Sequence, residues 1–443
     1  MRFETLRGGR TLVLGFGREG RALERAVLDR IPEASVEVVC DRPPDQLPRE
    51  WPLRIGSPEI VTTRPDRVLR SPGVPVDQPA LARWRDSGIE VTCISSLWFG
   101  EREQARVIAV TGSKGKSTTA ALIAHMLAAG GHTVELGGNI GRPMLDLIDA
   151  RADWFVIELS SYQLADLSGH ASIGVITRLF PEHQDWHGGT AAYYSAKLRL
   201  AELLAGRPLW INGSDPLLAR AVAGLPNVHR VNGRDGIRVD ADGIRSGDRL
   251  LLAAAGSPLP GRHNLDNIAL AIAVVEAAIG PSDEARASLA AFRPLPHRLE
   301  RVSGPNPTAW INDSISTTPY ATLAALQASP PDPVLIVGGL DRGADWSIVE
   351  DYCRDHRLAG LVGLRDNGAD ICRRLVAAGA VEPGYSINAC DMQQAVAAAW
   401  KLCGAGGTVV LSPGAPSFPH FRDFEARGEA FVKAVRKLDQ RMS

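Results

Sequence analysis

The residues Thr111-Gly112-Ser113-Lys114-Gly115-Lys116-Ser117-Thr118 gather flexible backbone, cations and hydroxyls into one short stretch. An apolar strand over 107–110 leads in, and a helix over 118–129 leads out. Backbone N–H groups in such a turn wrap a phosphate chain, and the helix N-terminus adds positive potential. Lys116 can then reach the outer phosphates, and Ser117 can hold Mg²⁺. The full phosphate-loop pattern wants a glycine where this chain has Val110, so the match is to a variant whose turn starts at Thr111-Gly112. The implied ligand is a nucleoside triphosphate. The bland alternative, an ordinary strand-to-helix turn, leaves the coincidence of strand, glycines, Lys-Ser and helix unexplained.

A second glycine pattern, Gly15-Phe16-Gly17-Arg18-Glu19-Gly20, lies between a strand at 11–14 and a helix at 21–30. A further strand at 36–40 ends in Asp41-Arg42. This is the dinucleotide-binding fingerprint, and it suits NAD or any phosphate-bearing nucleotide. Ser71-Pro72-Gly73 turns the chain after a strand at 67–69, on the same expected sheet edge.

Other candidate residues follow apolar strands, where parallel sheets present their ligand loops. Glu158 ends the strand at 154–159 and leads into Ser160-Ser161-Tyr162-Gln163; His183 follows the strand at 173–179. A carboxylate and an imidazole beside a triphosphate suit Mg²⁺, directly or through water, although His183 alone also reads as a solvated loop histidine. Lys197 lies in a helical stretch, where residue chemistry suggests only a surface charge. Asn264 and Asn267 share a helix face; two amides there can read an adenine edge, or Asn264 can simply cap a helix over 265–279. Arg298 suits a γ-phosphate, and Asp313 follows a strand at 309–312. Gly338-Gly339-Leu340-Asp341-Arg342 and the loop from Ser412 to Phe418 each follow a strand and are, singly, ordinary turn chemistry.

The elements that must position these residues alternate strand and helix throughout, the pattern of parallel α/β sheets. Three segments are expected: 1–97, Rossmann-like; 98–293, a central phosphate-loop sheet; and 294–443, a Rossmann-like C-terminal domain beginning at the stiff Pro294-Leu295-Pro296 boundary. The chain of 443 residues is long enough for several cores. With 49 basic against 50 acidic side chains and a net charge of −1, no cationic surplus points to nucleic acid. Six scattered cysteines with no Cys-x-x-Cys pair argue against a zinc site or disulfide framework. No apolar run reaches membrane length and the charged N-terminus lacks a signal-peptide core, so a soluble cytoplasmic protein is expected. A monomer is expected too.

Taken in order along essentially the whole chain, these residues resemble the Mur ligase family of peptidoglycan enzymes. Residues 111–118 look like the family ATP loop, and Glu158–Gln163 like the strand end carrying a Mg²⁺-binding glutamate and the polar groups Ser160 and Gln163 that meet the muramoyl substrate. The resemblance implies that His183 joins the metal site, and that Lys197 is carbamylated, becoming a carboxylate that supports Mg²⁺. It implies that His263-Asn264 and Asn267 lie on the adenine side, that Arg298 and Asp313 open the C-terminal domain on the ATP side, and that Asn139 meets the UDP-sugar. Gly15, Phe16, Gly17, Arg18, Asp41, Arg42 and Ser71 would then hold uridine diphosphate rather than NAD.

The likeness is strongest to the branch that joins glutamate to UDP-N-acetylmuramoyl-L-alanine through an acyl phosphate, using ATP and Mg²⁺. Enzymes that add D-glutamate typically read Asp-Ser-Lys-Ala-Thr-Asn where this chain reads Asp313-Ser314-Ile315-Ser316-Thr317-Thr318. Replacing that lysine by Ile315 removes a charge-assisted contact worth ~1.5–3 kcal/mol. An altered amino-acid pocket, with Thr317, Arg342, Ser417 and Phe424 as its expected members, points to the branch that adds L-glutamate; D-glutamate is the alternative. More distant rivals are a folylpolyglutamate synthase, an NAD-dependent oxidoreductase, and a nucleotide-binding protein without turnover. The first is disfavoured by the domain ahead of the ATP loop, the second by that loop itself, and the third by the intact Lys116, Glu158, His183 and Lys197 set.

Overall fold

Runs such as Leu12-Val13-Leu14 and Val107-Ile108-Ala109-Val110 carry no polar alternation, so they demand burial on both faces. In the computed structural model, which describes residues 1–234, 236–404 and 406–442, such runs form the centres of parallel sheets. The chain divides into two compact units: Met1–Gly256 with Asp266–Phe292, and Ser257–Leu265 with Arg293–Ser443.

The first unit begins with β1 (Arg10–Leu14), β2 (Ser35–Cys40), β3 (Leu53–Ile55), β4 (Arg67–Arg70) and β5 (Glu90–Cys93). They pair in parallel in the order β3-β2-β1-β4-β5. The chain winds outward from β1 to β3, then returns to β4 on the other side of β1. That reversal opens a crevice at the strand ends, beside Gly15 and Ser71.

A second parallel sheet has β6 (Val107–Thr111), β7 (Val134–Gly138), β8 (Trp154–Glu158), β9 (Ile173–Ile176), β10 (Leu209–Asn212) and β11 (Val228–Val231), ordered β11-β10-β9-β6-β8-β7. Because β6 is flanked by β8 and β9, Val110 pairs with Glu158 and Thr111 with Ile176. The loops after these strands therefore converge on the phosphate-loop turn. An antiparallel sheet of β12 (Ile237–Val239), β13 (Gly243–Ser246) and β14 (Arg249–Ala253) completes this unit's sheets.

The second unit has β15 (Glu300–Val302), β16 (Ala309–Asn312), β17 (Val334–Val337), β18 (Gly360–Gly363), β19 (Ser386–Asn388) and β20 (Thr408–Leu411), ordered β15-β16-β20-β17-β18-β19. Only β15 runs antiparallel. One core cluster joins Leu335, Val337 and Trp346, and another joins Trp310, Ile336, Met392 and Phe431. Alternating strand residues thus feed two cores, as a sheet covered on both faces requires.

Several boundaries differ from the sequence reading. Helices begin at Arg18 and Lys116, in the first turn after Gly17 and Gly115, rather than at 21 and 118. The strand expected at 173–179 stops at Ile176, because the next residue turns to bond the phosphate loop: Thr177 Oγ1 donates to Lys114 O at 2.6 Å. Among the described residues, no helix is long and apolar enough to cross a membrane.

Candidate active site

The phosphate-loop turn needs glycine at two points. Gly112 has φ +144°, and a Cβ there would lie 2.0 Å from Thr177 Oγ1. Gly115 has φ +88°, and its Cβ would lie 2.5 Å from Asn267 Oδ1. Any larger residue would push the loop off its supports. Lys116 Nζ folds back and donates to the carbonyls of Gly112 and Ser113, each at 3.0 Å. Ser113 is braced from outside: its Oγ donates to Phe180 O at 2.9 Å, and Tyr193 OH donates to it at 2.9 Å.

Charged groups crowd the same turn. Lys197 is 1 % exposed and its Nζ donates to Gly112 O at 2.7 Å. Burial, reinforced by the neighbouring Lys116 charge, holds its pKa well below the ordinary lysine value. A neutral, nucleophilic amine is the form that reacts with CO₂ to give a carbamate, so the environment fits that modification. Glu158, at the end of β8, accepts from Asn139 Nδ2 through Oε1 at 2.6 Å, and its buried Oε2 has no hydrogen-bond partner. His183 sits in the left-handed region at φ 52° beside Tyr162 and Tyr193. Burial of its ring, with Lys114, Lys197 and Lys116 nearby, outweighs Glu182 and lowers it to about 4. Its imidazole is therefore neutral at physiological pH.

Ser117, Glu158, His183 and Lys197 offer a hydroxyl, a carboxylate, a neutral imidazole and an amine. Among the described residues, no group of three or more His, Cys, Asp or Glu side chains makes a preformed metal cluster. The orphaned Glu158 Oε2 nevertheless fits a hard cation, and a carbamate on Lys197 would add the oxygen donors that Mg²⁺ prefers.

At the ends of β1 and β4, a cavity of about 520 Å³ is lined by Gly15, Phe16, Gly17, Arg18, Asp41, Arg42, Ser71 and Asn139 among others. Every residue expected there is present except two. Ser160 and Gln163 form a capping box: Ser160 Oγ accepts from Gln163 N, and Gln163 Oε1 accepts from Ser160 N. Gln163 is buried and its Nε2 donates to Glu19 Oε1 at 2.7 Å, so its amide is spent inside the protein. The sequence shows both residues after Glu158 but not this reciprocal bonding.

Asn267 lies against Gly115 in the first unit, whereas Asn264 counts with the second. Their helix spans Arg262–Ile279, so Asn264 falls inside its first turn and does not cap it; its Nδ2 donates to Pro260 O at 2.6 Å. In the second unit, Asp313 is buried, accepts from Ser316 and Ser412, and is raised to about 6 by burial. Arg298 is half-buried nearby, one residue from Leu299, whose N donates to Asp313 Oδ1 at 3.2 Å. Of the four residues expected for the amino acid, Thr317 and Phe424 are half-buried, Ser417 is buried, and Arg342 is exposed.

Sequence reasoning passed over Arg70, Asp166, Glu182 and Tyr193. Arg70 is fully buried and clamps Asp166 with two hydrogen bonds, at 2.9 and 2.6 Å. Its remaining donors hold the carbonyls of Ser71, Pro72, Val74 and Tyr162. One guanidinium thereby joins the cavity wall to the helix after β8. Nothing in an Arg-Ser-Pro-Gly string announces this, because its partner lies 96 residues away.

Residues 110–275 match the Mur ligase middle domain. The chain is 40% identical to a UDP-N-acetylmuramoyl-L-alanine--L-glutamate ligase of Micromonospora sp., over 98% of both chains. It is 37% identical to one so named from Xanthomonas euvesicatoria pv. vesicatoria, over 98% of this chain and 96% of that one. The fold is similar to that of the MurF ligase of Thermotoga maritima in complex with ADP, with a TM-score of 0.62, 15% identity, and 100% and 97% of the two chains covered. It is also similar to UDP-N-acetylmuramate-alanine ligase MurC of the same organism, with a TM-score of 0.61, 17% identity, and 96% and 99% covered. From relatives this similar along the whole length, the chain belongs to the Mur ligase family, whose members are ATP-dependent ligases.

Proposed function

We propose that this enzyme joins L-glutamate to the alanyl carboxylate of UDP-N-acetylmuramoyl-L-alanine, with ATP as the second substrate, in the cytoplasmic assembly of peptidoglycan precursors. The observation that carries the reading is the full-length similarity to ligases of that name. The geometry supports it through the glycine-dependent loop beside Glu158 and Lys197 and the cavity at Gly15–Gly17 and Asn139. Segments 1–97, 98–293 and 294–443 serve the uridine, ATP and amino-acid ends respectively.

In the first step a carboxylate oxygen of the alanyl group attacks the γ-phosphorus, the bond to the bridging oxygen breaks, and ADP leaves with the electron pair. Lys116 exchanges its bonds to Gly112 and Ser113 for phosphate oxygens, and Arg298 covers charge on the transferred group. Ser117, Glu158, His183 and carbamylated Lys197 would hold Mg²⁺, which when bound would draw charge from the phosphates. Asn267 and Asn264 contact the adenine side, with Asp313 near the nucleotide. In the second step the glutamate amine attacks the acyl carbon, phosphate departs with the C–O electron pair, and the amine proton passes to solvent or a basic oxygen. Thr317, Arg342, Ser417 and Phe424 border the amino acid, and Ser160 approaches the sugar. The enzyme works as a monomer.

The test is phosphate release by purified protein with ATP, Mg²⁺, UDP-N-acetylmuramoyl-L-alanine and each glutamate enantiomer. Release with L-glutamate well above D-glutamate is expected. The opposite preference reverses the stereochemical assignment, and no release with either ends the proposal.

A further inference from the structure

A cavity of about 420 Å³ opens in the second unit where β17, β18 and β19 end. The chain winds outward from β17 to β19 and returns to β20 beside β17, so the cavity borders this sheet's reversal point. Leu364, Met392 and Ala434 give it an apolar side continuous with one core of the unit. Of the residues expected to border the amino acid, it contains Ser417 and not Arg342.

Arg427, in the helix Phe424–Met442, lines this cavity and is 1 % exposed. Its Nε donates to Ser314 Oγ at 3.1 Å, Nη1 to Ala415 O at 2.9 Å, and Nη2 to Ser314 O at 2.8 Å. All three acceptors are neutral, whereas a guanidinium carries five N–H donors. No carboxylate lies within ion-pair distance of it among the described residues. The Asp313 charge acts on it from beyond that distance, but a buried cation hydrogen-bonded only to neutral groups still gains strongly from an incoming anion. Arg365 and Lys433 add exposed positive charge on the same lining, and neither has an ion-pair partner among the described residues. The acid on the lining, Asp391, is occupied in capping a helix, accepting from Gln394 N at 2.8 Å.

The acceptor in the proposed reaction brings a side-chain carboxylate, yet Ile315 stands where related enzymes that add D-glutamate carry a lysine. We infer that this cavity receives that carboxylate, with Arg427 as its buried cation and Arg365 and Lys433 as the exposed charges that favour an acid over an amide. The inference rests on the reading of glutamate as acceptor. It places the cations just past β18, at Arg365, and along the helix Phe424–Met442, at Arg427 and Lys433.

The double variant R365M/K433M changes two exposed side chains and keeps their apolar stems. Phosphate release by the full-length protein is measured while L-glutamate, and separately L-glutamine, is titrated at saturating ATP and UDP-sugar. The KM for L-glutamate is expected to rise about tenfold or more, and the preference for glutamate over glutamine to fall with it. The KM for ATP stays within about twofold. An unchanged KM and preference overturn the inference. Calorimetric binding of glutarate, a dicarboxylate with no amine, decides the pocket without turnover. Binding that weakens about tenfold in the double variant supports the pocket, and equal binding, or none to either protein, removes it. If unaltered enzyme turns over neither glutamate enantiomer, the function reading falls while the glutarate comparison still decides the pocket.

Discussion

Asn139 donates from its side-chain amide to Glu158 Oε1, so one residue lines the cavity at the ends of β1 and β4 and aims the carboxylate at the end of β8. The two sites share a hydrogen bond, and disturbing one disturbs the other.

Asn139→Ala is therefore expected to raise the KM for the UDP-sugar and also to lower kcat, each by about tenfold, since a bond to a charged acceptor contributes ~1.5–3 kcal/mol. Steady-state phosphate release checks this. A change confined to the sugar KM would mean that Glu158 does not depend on Asn139.

Gly115→Ala places a methyl against Asn267 at a positive φ. The strain of about 1–3 kcal/mol falls on the phosphate loop, and ATP affinity should drop about tenfold or more. Calorimetric titration with a non-hydrolysable ATP analogue measures it.

Arg70→Ala leaves Asp166 and several carbonyls without their donor in a buried position. Removing one partner of a buried pair costs about 3–5 kcal/mol, so the urea midpoint should fall sharply. Arg70→Lys recovers little of it, because an ammonium lacks the planar fork that spans Asp166 and the turn at 71–74.

Asp313, raised to about 6 by burial, gives a pH signature in stability. Between about pH 4 and 6 the native state holds a proton that the unfolded chain has released, so stability falls as pH rises through that window and is level above it. Asp313→Asn abolishes this dependence. Its stability relative to the unaltered protein should improve by about 2 kcal/mol on going from pH 4.5 to 7.5. Urea melts at both pH values test the slope, and parallel curves would contradict the burial argument.

Lys197→Arg puts a permanent cation where burial favours a neutral amine, and it cannot form a carbamate. Activity should fall by a factor of about a hundred or more, as a full charge reverses beside the transferred phosphate. With ¹³C-bicarbonate, a carbamate resonance is expected from unaltered protein and none from the variant.

The strands most visible in sequence were the two-sided apolar ones, and β16, β17 and β20 fall where their runs of apolar residues place them. The expected phosphate loop and the Gly15-to-Gly17 turn were legible because glycine, lysine and serine at fixed spacing have few other uses. β12 to β14 were not, since Arg238, Arg245 and Arg249 break any apolar pattern in short strands. Long-range partners were hidden as well. By residue chemistry alone Lys197 reads as a surface charge, and only the family resemblance singles it out before the fold places it under Gly112; Gln163 reads as available although its amide meets Glu19. Spacing reports local geometry; burial depends on what packs above, which a single segment does not state.

Lys116 occupying its own loop's carbonyls has a thermodynamic consequence. The loop itself holds the ammonium in place, so nucleotide binding is a swap of acceptors with little ordering left to do. A ligand too short to draw the ammonium away must bind beside a lysine that stays satisfied where it is. Discrimination between adenosine triphosphate and its shorter product would then begin at binding, before any catalytic step.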